Sequence, residues 1–268
     1  MTSGSQSKAQ RRQESQQRAA ERRAAERRAK RNRTALRFGL PVAVVAVIVV
    51  IVVVATGGGG GVPPSQKNPH VKVNAIPASF QMTPAAATKP GYEGIAQPVG
   101  SPLATLANAA TGQTVDGVQC QTNEQLVTHV HSHLTIFVNG KAKVIPYGIG
   151  IPGFQAQPTA DGPFVTTGSC FYWLHTHAND GVIHIESPST SETFTLGQFF
   201  AEWGIPLSKT QVGPAKGKVT VFFTAPGQKS GIYTGNPANL PLGDHYQIQL
   251  DVGTPIIEPV QVTKWGSL

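Results

Sequence analysis

The 268-residue chain predicts an α+β fold, mostly antiparallel β-hairpins with one short helix, preceded by one transmembrane helix and a disordered tether. Three observations carry that expectation. Beyond residue 115, period-two runs rich in Val, Ile, Phe and Thr recur, two of them interrupted by Asn-Gly or Asp-Gly pairs that favour type I′ turns. Only the stretch 195–204 carries both a helix start and a helix stop signal. Ahead of all this stands an uncharged apolar run, residues 38–55, followed by a Gly/Pro-rich stretch.

The first segment, residues 1–37, is basic. It holds twelve Lys/Arg and three Glu, a net of +9 against +8 for the whole chain, so the remainder is close to neutral. Arg18-Ala19-Ala20-Glu21-Arg22 recurs as Arg23-Ala24-Ala25-Glu26-Arg27. Arg22/Glu26 and Glu26/Lys30 are i,i+4 pairs that support a solvated helix. No aromatic or recognition motif accompanies the charge, so the tail reads as a partner for anionic lipid headgroups and not for nucleic acid.

Residues 38–55 are dominated by Val and Ile, and no charge lies between Arg37 and Lys67. As a helix the run spans roughly 27 Å, close to the hydrocarbon thickness of a bilayer. The basic residues before it place the N-terminus in the cytoplasm by the positive-inside rule. The expectation is a single-pass protein of the cell membrane, partnered with the lipid bilayer through residues 38–55, with its C-terminal domain extracytoplasmic. The alternative is a signal peptide cleaved after Ala55.

Residues 56–114 form an expected linker. Gly57 to Gly61 and Pro63-Pro64 open it, and its composition buries too little apolar surface to offset the entropy of ordering. Partial order is expected near residues 95–106.

Residues 115–268 form the expected folded domain. A strand over 130–138, the Asn139-Gly140 turn and a return over 141–145 make the first hairpin. A second runs over 170–179, turns at Asp180-Gly181 and returns over 182–186. Thr195 and Gln198 have capping-box spacing before Phe199, Phe200 and Trp203, and Gly204 sits where a C′ residue belongs. Strands over 218–224 and 245–252 complete the domain.

Six of the eight histidines lie between residues 129 and 184. They include His131-Ser132-His133, His175-Thr176-His177 and His184-Ile185-Glu186, with His129 just ahead. Alternation at period two places such side chains on one face of a strand. With a two-residue loop at Asp180-Gly181, His177 falls opposite His184 and His175 opposite Glu186; moving the turn to Asn179-Asp180 pairs His175 with His184 instead. Either way the four share a face, whereas a three-residue loop without a bulge splits them. His131 and His133 share a face of the first hairpin with His129.

Imidazoles and a carboxylate on one face suit a transition metal. The candidate metal residues are His131, His133, His175, His177, His184 and Glu186. Glu186 serves as ligand, as orienter of an imidazole or as general base; His129 stays open between ligand and surface residue. His70 and His245 read as hydrogen-bonded residues, and Asp180 as a turn residue. Cys120 and Cys170, the only two cysteines, are expected to form a disulfide that ties the entries of the histidine strands together. With thiols occupied and Met1 and Met82 remote in sequence, a soft Cu(I) site is disfavoured; Zn²⁺ or Cu²⁺ follows from the Irving–Williams order. The expected function is metal binding by an anchored extracytoplasmic domain. The alternatives are a metal-dependent hydrolase or oxidoreductase at the same site, and a metal-free pH-sensing or interaction module. No G-x-S-x-G motif supports a serine nucleophile.

The stretches His-Ser-His-Leu-Thr-Ile-Phe-Val-Asn-Gly (131–140), Trp-Leu-His-Thr-His (173–177), Gly-Val-Ile-His-Ile-Glu-Ser-Pro (181–188) and Phe-Thr-Leu-Gly-Gln-Phe-Phe (194–200) together resemble a group of uncharacterised actinobacterial-type membrane-anchored proteins with a His-rich extracytoplasmic domain. The likeness covers residues 115–255 and implies a shared domain and site, but no reaction. His175-x-His177 is also similar to the first metal motif of cupins, with Asp180 standing where that motif carries glutamate.

Overall fold

Alternating apolar residues across 128–138 build one eleven-residue strand, and most of the main sheet pairs with it directly or at one remove. The computed structural model describes residues 68–268 except 86, 107, 108 and 267. The basic tail, the expected membrane span and the start of the linker lie outside the described residues. Among the described residues, no helix is long and apolar enough to cross a membrane.

The main sheet contains nine strands: β1 (Asn74–Ala75), β2 (Ser101–Pro102), β3 (Thr128–Val138), β4 (Lys141–Val144), β5 (Leu174–His175), β6 (Val182–Ser187), β7 (Val219–Thr224), β8 (Gly231–Tyr233) and β9 (Tyr246–Val252). Their order is β1-β8-β7-β9-β3-β6-β5. Strand β3 is long enough to take two neighbours on one edge. Its first half pairs with β6, and its last three residues pair with β4, which in turn holds β2. Asn139 (φ 50°) and Gly140 (φ 74°) close the β3–β4 hairpin in the left-handed conformation that a type I′ turn requires.

Two expectations need correction. The fold is mostly β, not α+β: the described residues contain one α-helix, α1 (Leu196–Trp203), of eight residues. The sheet is also mixed, because β9 runs parallel to β3 from Tyr246↔Ser132 to Val252↔Val138, and β2 runs parallel to β4. Local turn signals define which strands form hairpins. They carry no information about which distant strand occupies the free edge, and here a segment over a hundred residues further on does so.

The disordered tether is likewise corrected from residue 68 onward. Strand β1 hydrogen-bonds to β8 and β2 to β4, while Thr88–Pro90 pairs with Ala96–Pro98. This segment belongs to the compact unit Pro64–Leu268. It builds no core of its own but completes open sheet edges and inserts Ile95 and Leu103 into apolar surroundings.

The two faces of the sheet differ. Leu134 and Ile136 of β3, Ile183 and Ile185 of β6, and Ile248 and Leu250 of β9 share one apolar cluster with Phe199, Phe200 and Trp203 of α1. Each such buried side chain contributes about 1.5–3 kcal/mol of transfer free energy. The Thr195/Gln198 capping box starts α1, and Gly204 (φ 80°) ends it. The opposite face carries the odd-numbered residues of β3 and the even-numbered residues of β6, which include the histidines. Towards its β9 side that face is crossed by the C-terminal segment, whose Val260 and Val262 N–H groups donate to the side-chain oxygens of Gln249 and Gln247.

Candidate metal centre

Three strands deliver three imidazoles side by side. His131 of β3 pairs with His184 of β6, and His184 pairs with His175 of β5. In the next row towards the β3 N-terminus, His129 pairs with Glu186. Directly opposed residues in a ladder point to the same face, so register alone collects these five side chains.

The second hairpin does not close at Asp180-Gly181. Strand β5 pairs for two residues only, with His175 opposite His184, the register of the shifted turn. Thr176–Asp180 then arches away from the sheet, and Gly181 returns to it, its carbonyl accepting from Leu134 N–H at 2.8 Å. The His177 carbonyl accepts from Val165 N–H at 2.9 Å, Thr176 N–H donates to Ile149, and the Asp180 carboxylate accepts from Glu93 N–H at 3.1 Å. The arch swings the His177 ring back over the row, with its centroid 4.5 Å from that of His184.

Donor atoms are consequently crowded. His175, His177, His184 and Glu186 each place one possible ligand atom within 4.8 Å of the others, and so do His129, His131, His184 and Glu186. Nearly all of this is buried: His175 is 0% exposed, Glu186 2%, His131 4%, and His177 and His184 6% each. His129 is the open side, with its side chain 45% exposed.

The hydrogen bonds assign the protons. His175 Nδ1 lies 2.8 Å from the Tyr172 carbonyl, and His177 Nδ1 lies 2.6 Å from that of Val165. A carbonyl only accepts, so both Nδ1 atoms are the donors and both Nε2 atoms carry lone pairs. Those two Nε2 atoms face each other at 3.0 Å. Burial and the neighbouring imidazoles hold His175 well below its usual range, and burial with the charge of His184 lowers His177. Both rings are therefore neutral, and neither can donate to the other across that gap.

His184 behaves in the opposite sense. Burial alone lowers it, but hydrogen bonds and charges from Glu186 and Glu93 outweigh burial and raise it to about 9. Its Nε2 donates to Glu93 Oε1 at 2.7 Å; its Nδ1 lies 3.2 Å from Glu186 Oε1 and 3.2 Å from His131 Nε2. His131 is pushed down to about 2 by burial and then by the charge of His184. Burial pushes Asp180 up to about 7, with the neighbouring charge of Glu93 adding to it. Burial also raises Glu93, yet the His184 hydrogen bond and charge leave it lowered overall. Asp180 thus carries the proton of that pair and Glu93 the negative charge.

Of the expected ligands, His131, His175, His177, His184 and Glu186 come together. His133 stands apart: its Nε2 donates to the Asp180 carbonyl at 2.9 Å, and burial lowers it to about 4. It braces the arch. Sequence reasoning missed Glu93, which comes from the supposed tether and is the one glutamate between residues 56 and 114. It also missed Glu124, whose Oε1 lies 3.5 Å from His177 Nε2. Asp180 is more than a turn residue, being fully buried and paired with Glu93.

The Cys120–Cys170 disulfide is present. It joins Cys120–Gln121 to its pairing partner Phe171–Tyr172, and Phe171 packs its ring 5.8 Å from His175 and 6.4 Å from His177. The bridge thus sets the wall of the site, and neither sulfur is free to ligate. What remains is a buried set of His/Glu groups positioned to hold a metal ion. No family model matches the chain, and no curated protein or solved structure matches it.

Proposed function

We propose that this domain binds one divalent transition metal, Zn²⁺ or Cu²⁺, through His175 Nε2, His177 Nε2, His184 Nδ1 and Glu186. The carrying observation is the pair of Nε2 lone pairs 3.0 Å apart, each ring fixed by a backbone carbonyl on its other nitrogen. Two bare lone pairs repel unless a cation lies beside both. Donors about 2.0–2.1 Å from a tetrahedral zinc are roughly 3.3 Å from one another, which fits that spacing. Backbone carbonyls and carboxylates that orient ligating imidazoles are the ordinary outer partners of such sites, and Tyr172, Val165 and Glu93 take those positions. Glu186 Oε2 is buried with no hydrogen-bond partner among the described residues, a cost that a bound cation removes. Four protein donors in a buried setting suit an ion that is held, rather than one with a vacant position.

The same reading places the domain on the outer side of the cell membrane. Support comes from the basic-then-apolar pattern of residues 1–55 and from a disulfide, which persists in oxidising compartments. The test is elemental analysis of the purified full-length chain after zinc or copper loading and dialysis, with and without His175→Ala and His177→Ala. At least one ion per chain that the double variant loses supports the reading. Zero in the parent ends it in favour of the metal-free network.

A further inference from the structure

The donor set is larger than one ion uses. We infer that the centre is dinuclear: a second divalent metal ion binds at His129 Nε2, His131 Nε2 and Glu186, with the Glu186 carboxylate shared between the two ions. The inference rests on the inner site proposed above and adds to it.

Geometry separates the donors into two sets around one carboxylate. Glu186 Oε1 lies 3.3 Å from His129 Nε2, 3.2 Å from His184 Nδ1 and 3.8 Å from His175 Nε2, so it touches both groups. Its other oxygen, Oε2, is buried without a hydrogen-bond partner among the described residues. A carboxylate has two oxygens and can serve two cations, whereas an imidazole nitrogen has one lone pair and serves one. His184 cannot do the sharing, because its second nitrogen is committed to Glu93 at 2.7 Å. With His184 Nδ1 on the inner ion, His129, His131 and one Glu186 oxygen remain as an outer set.

His129 and His131 alternate along β3, point to the same face and bring their ring centroids to 4.9 Å. Both stand beside β6, across from Glu186 and His184 respectively. This is how a strand presents two ligands without any loop. Charge favours cations here: the carboxylates of Glu93, Glu124 and Glu186 stand beside imidazoles of the cluster. The outer set has three protein donors and lies on the side where His129 is 45% exposed, so its remaining coordination position faces water. The outer ion is therefore the one a solute reaches, and the inner ion the one that is sealed.

The test is metal stoichiometry on the full-length chain, loaded with Zn²⁺ alone and measured by elemental mass spectrometry after dialysis. The variants are His129→Ala with His131→Ala, and separately Glu186→Gln, each checked for fold by near-ultraviolet circular dichroism. The expected result is two ions in the parent, one in the double histidine variant and one in Glu186→Gln, whose inner ion keeps three imidazoles. One ion in both parent and double histidine variant overturns the outer site and leaves the inner site standing. Two ions retained by the double variant also overturn it. Zero in the parent removes both sites together. If the double variant fails to fold, His129→Asn alone serves, with the outer ion expected to exchange at least tenfold faster than in the parent.

Discussion

Glu93 Oε1 accepts from His184 Nε2 at 2.7 Å, although 91 residues separate them in the chain. That bond orients the central imidazole and turns Nδ1 towards the other donors. Replacing Glu93 with Gln keeps the shape but removes the charge. Metal affinity is expected to fall roughly 10–100-fold, the usual loss for an orienting partner of a ligating histidine. Competition against a chromophoric chelator measures it; an unchanged Kd would show that Glu93 only packs.

His133 provides the contrast. His133→Ala removes the bond to the Asp180 carbonyl, leaving a buried acceptor unpaired. The expected cost is about 1–3 kcal/mol of stability in denaturant unfolding, with metal stoichiometry unchanged. Loss of an ion in this variant would return His133 to the ligand set.

Glu202 of α1 is fully buried, and neither carboxyl oxygen has a hydrogen-bond partner among the described residues. Burial holds its pKa well above the usual carboxylate range. A carboxyl with a higher pKa folded than unfolded stabilises the fold fully below its unfolded pKa, and that contribution is lost as pH rises through the folded value. Glu202→Gln is expected to melt like the parent in acid and above it in alkali, the gap widening with pH. Parallel melting curves across pH would refute an ionisable Glu202.

Cys120 and Cys170 are 50 residues apart and bonded. In the chain-entropy model that loop corresponds to about 4 kcal/mol. The double variant Cys120→Ser/Cys170→Ser is expected to lose stability on that order in urea titration. Because Phe171 beside the bridge packs on His175 and His177, the variant should also bind the inner ion more weakly.

Added metal should in turn stabilise the parent. An ion held by the native state alone raises stability by about 2.7 kcal/mol at a hundredfold excess over its Kd. The expected outcome is a melting temperature that climbs with zinc concentration and falls back on addition of chelator. A melting temperature indifferent to both would count against any ion bound to the native state.

Much of the site was legible in the residues. Period-two spacing in 129–133 and 184–186 placed imidazoles and a carboxylate on one face before any pairing was known, and the apolar alternation between them marked the other face as core. The Asn139-Gly140 turn and the Thr195/Gln198 cap were equally readable, because each is a bond between near neighbours. The register of β5 was not. It depends on Val165 and Glu93 drawing Thr176–Asp180 off the sheet, through bonds that reach 12 and 87 residues along the chain. Glu93 itself was hidden in a Gly/Pro-rich segment whose composition argues against order, and which is ordered by edges that belong to other strands.

Sequence by itself determined which residue types could bind a metal, which face of each strand they occupy and which cysteines could pair, since these follow from covalent spacing and strand periodicity. Tertiary structure alone decided the mixed β architecture, the bond of His133 to the Asp180 carbonyl, the approach of Glu93 and Glu124 to the cluster, and the two overlapping donor groups that share His184 and Glu186. Those outcomes turn on non-local hydrogen bonds, and a partner that lies ninety residues away leaves no periodic trace in the chain.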